Sequence, residues 1–205
     1  MTRSAHFRVG IRSARTLLVV AALLLLPACS ALKQIAALRS VDFSVDRVGN
    51  VTLAGIDLSR FDSYDDIGLL DAGRLAAGVA TSRLPLKLTV FVAASNPAAN
   101  SVTARMVRLD WALFLNDTET VRGIVEQAVE IPSGQTVAIP VSMELNLVDF
   151  FDRGARDLVD LALGLSGQGG RPTEVRLRAT PTIDTPIGPI SYPRPIDIIR
   201  TRTGS

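Results

Sequence analysis

Cysteine and histidine, the side chains that most often act as nucleophiles, bases and zinc ligands, each occur once in this chain. The cysteine is Cys29 and the histidine is His6, so both lie close to the N-terminus. A Ser-His-Asp or Cys-His catalytic system needs an imidazole beside its nucleophile, and zinc sites built on nitrogen or sulfur need several such ligands. The rest of the chain has neither side chain, which excludes these catalytic systems and these zinc sites from the body of the protein.

The segment that leads to Cys29 has the composition of an export signal. Four arginines without any acid precede an apolar stretch from Leu17 to Leu26. A membrane-spanning helix needs about 20 apolar residues, so this shorter stretch predicts a secretory signal peptide over residues 1–28. The sequence LPAC that ends at Cys29 resembles the bacterial lipobox, whose cysteine is acylated before the signal peptide is cut off. The alternative is an ordinary cut near Ser30 or Ala31 that leaves no lipid.

Resemblance to sorted lipoproteins implies where the protein is held. Such proteins carry up to three acyl chains on the cysteine, and two membrane-binding signals are enough for stable anchoring without a membrane span. Because Ser30, and not an aspartate, follows Cys29, the resemblance implies the periplasmic face of the outer membrane. We therefore predict a bacterial envelope lipoprotein with a tether at 29–39, a folded domain at 40–200 and a tail at 201–205.

The other polar residues form no recognisable site. The signal segment contains four of the 22 basic residues and none of the 20 acidic ones, so the mature chain has 18 basic residues and a net charge of about −2. This balance lacks the basic surface that is typical of nucleic-acid binding. Asp65, Asp66 and Asp71 lack the spacing of a calcium loop, and residues 164–170 lack a phosphate-binding motif. We predict no metal, no cofactor, no small-molecule substrate, no nucleic acid as partner and no enzyme activity.

Alternation of apolar and polar residues predicts strands over most of the remaining chain. The period of two is typical of half-buried strands. The long segments with this period are 84–94, 107–115, 136–147 and 175–183, and shorter candidates are 41–48, 51–58, 120–131 and 190–198. Turns are predicted at Gly49-Asn50, Asn116-Asp117 and Pro132-Ser133-Gly134. Several strands with short connections and no alternation with helices predict an antiparallel sandwich.

Three single residues refine this prediction. Trp111 is in phase with Leu109 and Leu113, so it is predicted to lie in the core. Pro140 and Pro181 lack an amide donor for the ladder, which predicts that their strands are edges or are locally bulged.

Two segments have a helical period instead. Apolar residues three and four apart from Val148 to Leu165 predict a helix, capped by Asn146 and ended by Gly164 or Gly167. A less regular helix is predicted over 66–80. Aspartates and arginines four residues apart on the helix predicted from Val148 to Leu165 predict exposed ion pairs. The expected pairs are Asp149–Arg153, Asp152–Arg156 and Arg156–Asp160.

Three short motifs follow one another in residues 84–145. They are Asn96, Pro97 and Asn100 after an apolar strand, then Trp111 in the next predicted strand, then Pro132, Gly134, Pro140 and Val141 around a later one. These motifs resemble the WHy domain (water stress and hypersensitive response) of the late embryogenesis abundant group 2 family, in which an apolar strand runs into an Asn-Pro-Asn turn, the next strand contains a spaced aromatic residue, and a later strand opens with a proline-glycine turn and ends in Val-Pro-Val. The sequence departs from the family in having Asn-Pro-Ala-Ala-Asn where the contiguous Asn-Pro-Asn is usual.

The resemblance implies a fibronectin-III/immunoglobulin-like antiparallel β-sandwich with one or two accessory helices, in which Asn96, Pro97 and Asn100 form a structural turn. It implies no catalytic residue and a role in the response to desiccation and osmotic stress or in envelope protection. The expected partners are the membrane, through the lipid on Cys29, and unfolded or envelope proteins. The alternative function is an accessory lipoprotein of an assembly or transport complex that recruits another protein to an edge strand. A hydrolase is the least favoured.

Overall fold

The structure, a computed structural model, describes residues 41–152, 154–167, 169, 173–184 and 188–199. The predicted signal peptide, the predicted lipidation site Cys29 and the tether before residue 41 lie outside the described residues. The described chain forms ten strands in two antiparallel sheets and two α-helices, which confirms the predicted mostly β sandwich with accessory helices. The strands are β1 Asp42–Leu53, β2 Ile56–Asp57, β3 Pro85–Ser95, β4 Ala104–Leu115, β5 Thr118–Val125, β6 Val129–Ile131, β7 Thr136–Asn146, β8 Val175–Ile183, β9 Ile190–Ser191 and β10 Ile196–Ile199, and the helices are α1 Leu69–Ala80 and α2 Ala155–Ser166.

The core lies between the two sheets. The first sheet has the strand order β2-β1-β3-β7, and the second has the order β10-β8-β4-β5, with β6 also paired to β4 and β9 to β8. Alternate residues of each long strand point inward, and Val90, Val141 and Leu177 are fully buried examples. Burial of such side chains is the main favourable contribution to folding, about 25 cal/mol for each Å² of apolar surface removed from water.

The strand register defines two opposite ends of the first sheet. At one end, which we call the turn end, Asp42 pairs with Ser95 and Ser95 pairs with Thr136. At the other end, which we call the helical end, Leu53 pairs with Leu86, at the start of β3. Helix α1 is joined to the helical end because only residues 81–84 separate it from β3.

Two of the predicted turns are present. Asn116 and Asp117 connect β4 to β5 with φ values of 47° and 66°. Positive φ at both central residues is the requirement of a type I′ hairpin turn, which asparagine and aspartate tolerate. Before β7, the Gln135 N–H donates to the Pro132 carbonyl at 3.1 Å, and Gly134 has a φ of 71°.

The predicted turn at Gly49-Asn50 is wrong. Strand β1 runs through it, with register shifts between Val45 and Arg47 and between Gly49 and Thr52. Asn50 has a φ of 54°. A residue that tolerates positive φ suits a β-bulge as well as a turn, so the local sequence cannot distinguish the two.

The two strand prolines differ in position. Pro140 lies on β7, an edge strand of the first sheet, as predicted. Pro181 lies on β8, which is an interior strand of the second sheet, so the edge alternative is wrong there. The ladder between β8 and β4 has a register shift close by, between Met106 and Arg108, which pair with Ile183 and Thr182. Pro181 is tolerated because it falls between the stretch of β8 that pairs with β10 and the stretch that pairs with β9. Its carbonyl accepts the Tyr192 N–H at 2.8 Å.

The helix predicted over 148–165 is shorter than expected. A 3-10 turn at Leu147–Asp149 comes first, and α2 begins only after Gly154, whose φ of −69° and ψ of 162° are extended. Asn146 does not cap α2. Its side chain accepts the Leu84 N–H at 2.7 Å and donates to the Ser82 carbonyl at 3.0 Å, which holds β7 to the start of β3.

The ends and the ion pairs of the helices also follow tertiary contacts. Gly167, with a φ of 75°, ends α2 as predicted. Arg156 donates to the Asp65 carboxylate at 2.9 Å, because α2 packs beside the segment that precedes α1. Asp152 lies before α2 begins and cannot be an i,i+4 helical partner of Arg156. Neither described helix is long and apolar enough to cross a membrane.

Candidate functional site

Asn96, the first residue of the predicted turn, is a buried polar residue at the end of β3, only 1% exposed. Its backbone N–H donates to the Gln135 carbonyl at 2.9 Å. Its Nδ2 donates to the carbonyls of Val102 at 3.0 Å and Ile131 at 2.8 Å, and its Oδ1 accepts from Asn100 Nδ2 at 2.8 Å. A buried amide side chain is stable only when its donors and acceptor are bonded, and here both donor hydrogens and the oxygen are engaged within the chain.

Pro97 and Asn100 complete the same turn. The Asn100 N–H donates to the Pro97 carbonyl at 2.9 Å, which closes a tight turn over the two intervening alanines. Asn100 Oδ1 then accepts the Val102 N–H at 3.3 Å. The structure therefore brings the three sequence-predicted residues Asn96, Pro97 and Asn100 together, and the turn joins the end of β3 in the first sheet to β6 in the second.

A concave surface lies elsewhere, on the outer face of the second sheet. This hollow, which we call the sheet groove, has a volume of about 510 Å³. Its lining combines apolar residues with charged ones from β4, β5, β8 and the segment before β10. The lining residues are Asp110, Trp111, Ala112, Phe114, Glu119, Arg122, Gly123, Ile124, Arg178, Thr180 and Pro195.

Gly123 and Trp111 both line the sheet groove and are in close contact. Gly123 pairs with Trp111 on the neighbouring strand. A Cβ atom at position 123 would lie 2.6 Å from Cζ2 of Trp111, so the indole occupies the space that a side chain would need. Trp111 is only 7% exposed, which confirms its predicted core position. Its buried Nε1 has no hydrogen-bond partner among the described residues.

Arginines cover the aromatic part of the sheet groove. The guanidinium carbon atoms of Arg176 and Arg178 lie 4.6 and 5.1 Å from the centre of the Phe114 ring. Both arginines are also paired with carboxylates, Arg176 with Asp117 at 2.7 Å and Arg178 with Asp197 at 3.0 Å. Stacking on the ring and pairing with an acid together fix each guanidinium and balance its charge.

A second charge network borders the sheet groove. Arg108 makes a two-point contact with Asp110, at 2.9 and 2.8 Å, and a further contact with Glu126 at 2.7 Å. The hydrogen bond from Arg108 lowers the pKa of Asp110, and the same bond raises the pKa of Arg108. A general acid needs a pKa near the working pH, so an aspartate held ionised in this way is poorly suited to proton transfer at neutral pH.

The outer face of the first sheet has a second hollow of about 510 Å³ beside the bulge in β1. Thr89, which is 6% exposed, shares a hydrogen bond of 3.0 Å with Ser142 across β3 and β7. Lys87 and Glu144 form an ion pair of 3.3 Å at its border. In the described part of the chain, no group of three or more His, Cys, Asp or Glu residues could hold a metal ion.

None of the sequence-based predictions includes the sheet groove, although two features of the sequence correspond to it. Leu113, Phe114 and Leu115 are three consecutive apolar residues that interrupt the alternation of β4, and all three are buried. Gly123 interrupts β5, and glycine inside a strand often marks a close approach of another group.

Together these features define a class of protein: an antiparallel β-sandwich with two accessory helices, a buried asparagine turn between its sheets and surfaces covered by paired charges. No family model matches the sequence, and no curated protein matches it. Similar solved structures include one described as a late embryogenesis abundant protein, with 14% identity and a TM-score of 0.35 over 98% of this chain and 96% of that one.

Two other solved structures have comparable scores. A protein from Archaeoglobus fulgidus has 12% identity and a TM-score of 0.30 over 58% of this chain and 87% of that one. A protein from Bordetella pertussis described as ApaA has 15% identity and a TM-score of 0.32 over 80% of this chain and 98% of that one. Identities and TM-scores at this level assign the chain to no family.

Proposed function

We propose that the protein is a non-enzymatic lipoprotein of the bacterial envelope, anchored through a lipid on Cys29. Its sandwich acts in the response to desiccation or osmotic stress by protecting proteins or membranes of the envelope. The proposal rests on the resemblance of residues 84–145 to the WHy domain and on the signal sequence that ends at Cys29.

The observation that carries the proposal is the convergence of separate WHy-like motifs on Asn96. The asparagine of the first motif donates to Ile131 and to Gln135, which flank the proline-glycine turn of the later motif. Segments more than 30 residues apart in sequence thus form one hydrogen-bonded unit, since Asn96 and Ile131 are separated by 35 positions. Short motifs matched by chance have no reason to meet in this way, so the contact supports a WHy-like domain.

The non-enzymatic part of the proposal rests on residue chemistry. The body of the chain has no histidine and no cysteine. The carboxylates beside the sheet groove, including Asp110, Glu119 and Asp197, are each paired with an arginine. We infer that these charges stabilise and solubilise the sheet face, and that the groove performs no reaction.

The stress function is tested by drying. The lipid-free chain, residues 30–205, is dried together with a labile enzyme or with liposomes, and the recovered activity or retained content is measured after rehydration. We expect recovery above that given by an equal mass of an unrelated β-sandwich. Recovery equal to the control, together with normal survival of a deletion strain after drying and osmotic shock, would contradict the stress function and favour the accessory-lipoprotein alternative.

The lipid anchor is tested separately by cell fractionation. We expect the wild-type chain in the membrane pellet and the Cys29→Ser variant in the soluble fraction. Ser30→Ala is the matched control, because it alters the neighbouring residue and leaves the acylated thiol in place. Retention of Cys29→Ser in the pellet at the wild-type level would show that no lipid on this residue anchors the protein.

A further inference from the structure

The solvent-facing side of helix α1 is apolar, although α1 lies on the surface of the domain. Leu69 and Leu70 are each 89% exposed, the highest values among the large hydrophobic side chains described as exposed. Small apolar residues continue this surface toward the end of the helix. The exposed apolar residues of α1, which we call the α1 outer face, are Leu69, Leu70, Gly73, Ala76, Ala77 and Ala80.

The α1 outer face is unusual for a surface helix. At 100° per residue these six residues cover about 120° of the helix circumference without any charge inside that arc. Arg74 lies at one margin, where it pairs with Asp71 at 3.4 Å. The opposite side of α1 is also apolar and buries Leu75 in the core. A helix that is apolar on both sides is typical of an element covered on both sides.

The side-chain sizes along the α1 outer face are graded. The two leucines stand at its N-terminal end, and glycine and alanine follow at positions 73, 76, 77 and 80. A Cβ atom added at Gly73 would have open space around it, so no residue that the structure describes covers this point. In an antiparallel pairing with an identical helix, Leu69 would lie over Ala80 of the second copy, and Gly73 over its Ala76. Large side chains then meet small ones in both directions, as a two-fold interface requires.

We propose that the α1 outer face binds the same face of a second copy of this chain, with the two helices antiparallel. The face has no charge that would select an oppositely charged partner. Its large side chains at one end and small ones at the other fit the same face of a second, antiparallel copy. A bilayer is a poorer occupant. Asp65, Asp66 and Asp71 adjoin the leucines and disfavour an anionic lipid surface, and α1 is at the helical end, about 40 Å along β1 from residue 41, where the predicted tether enters.

The size of the face determines the strength of the contact. A helix of this length extends about 18 Å. One such helix buries less than the roughly 800 Å² per partner of a standard stable interface. The dimer is therefore weak and transient. Covalent cross-linking detects such a dimer, whereas a measurement of molecular mass at equilibrium does not.

Disulfide trapping tests the pairing. Full-length Cys29→Ser chain has no other cysteine, so a cysteine introduced at Gly73, Ala76 or Ala80 is its only thiol. Antiparallel pairing places residue 73 about 4.5 Å along the axis from its own copy, and likewise residue 76, but it separates the two copies of residue 80 by about 16 Å. A disulfide needs Cα atoms within about 7 Å. We expect oxidation to cross-link Gly73→Cys and Ala76→Cys, and not Ala80→Cys.

Two further variants separate a specific contact from chance collision. The double variant Leu69→Glu, Leu70→Glu lowers cross-linking of Gly73→Cys by at least about tenfold, because each copy loses the large apolar side chains that pack over the small residues of the other copy. Ile124→Glu changes an exposed large hydrophobic residue on the second sheet, away from α1, and leaves cross-linking of Gly73→Cys unchanged. Absence of cross-linking at both 73 and 76, or equal cross-linking at 80, overturns the proposal. Loss of binding to phospholipid vesicles in the double leucine variant, without any cross-link in the parent, identifies a bilayer as the occupant instead.

Discussion

The contact between Gly123 and Trp111 predicts that adding a single methyl group destabilises the domain. Gly123 lies inside β5 with an ordinary backbone conformation, where Gly→Ala alone favours the folded state by about 0.4 to 1 kcal/mol through the entropy of the unfolded chain. The new Cβ, however, would lie 2.6 Å from Cζ2 and 3.0 Å from Cε2 of Trp111. Both atoms belong to a rigid, buried ring that cannot rotate away like the end of a flexible side chain.

The magnitudes decide the sign. Overpacking of this kind costs about 1 to 3 kcal/mol. With the middle value of each range, about 2 kcal/mol for the overpacking and about 0.7 kcal/mol for the entropic gain, the net loss for Gly123→Ala is about 1.3 kcal/mol. In a Trp111→Leu background the ring is absent, so only the gain remains and Gly123→Ala becomes stabilising by up to about 1 kcal/mol. The coupling between the two positions is thus about 2 kcal/mol, within the range measured for residues in contact.

Urea unfolding followed by far-UV circular dichroism measures all four proteins of this cycle, since tryptophan fluorescence is lost in the leucine background. The unfolding free energies of the four proteins can be compared if the slope of free energy against urea concentration is similar in all of them. Arg122→Ala, at the exposed neighbouring position, is the control and should change stability by less than about 0.5 kcal/mol. A neutral or stabilising Gly123→Ala in the presence of Trp111 would refute the close packing described between Gly123 and Trp111.

Three other variants test separate parts of the fold. Trp111→Ala should cost about 3 to 5 kcal/mol and lower the thermal unfolding midpoint, because it empties a large buried volume; unchanged melting would place the ring in solvent. Asn96→Ala removes the side-chain donor to the buried Ile131 carbonyl and the part-buried Val102 carbonyl, and should cost about 1 to 3 kcal/mol in chemical denaturation, more than Asn100→Ala. Asp110 has a lowered pKa, so its pairing with Arg108 stabilises the fold above the unfolded-state pKa and is lost as pH falls through the folded-state pKa. Asp110→Asn should therefore be less stable than wild type near pH 7, by under about 1 kcal/mol for this exposed pair, and equal to it in strong acid; a constant difference over the acid range would contradict this assignment.

The strands could be predicted from the sequence because their period reflects burial against one core. Segments 85–95, 136–146 and 175–183 match their predicted bounds within a residue or two. Local sequence could not distinguish a bulge from a turn at Asn50, since both use the same left-handed backbone. Local sequence also could not show that the Asn146 side chain accepts a hydrogen bond from the Leu84 N–H, because the two residues are 62 positions apart.

The candidate site was less predictable because its contacts join residues that are far apart in the sequence. Asn96 could be recognised as a turn former from Asn-Pro, but its bond to Ile131 depends on how the two sheets face each other. The sheet groove exists only through cross-strand register, which sets Phe114 opposite Arg176 and Trp111 opposite Gly123. No spacing along the chain encodes these pairs, so they appear only when β4, β5 and β8 are brought side by side.

The order of strands in the second sheet determines when the chain can finish folding. Strand β4 is flanked by β5, which follows at once, and by β8, whose Val175 pairs with Leu115 and whose Ile183 pairs with Met106. During synthesis, at about 5 to 20 residues per second, β4 is complete several seconds before β8 exists. Through that interval the backbone edge of β4 that later pairs with β8 is unprotected, and an unpaired strand edge is a site at which nascent β-proteins aggregate. We expect the newly made chain to depend on a holding chaperone until its last quarter has emerged.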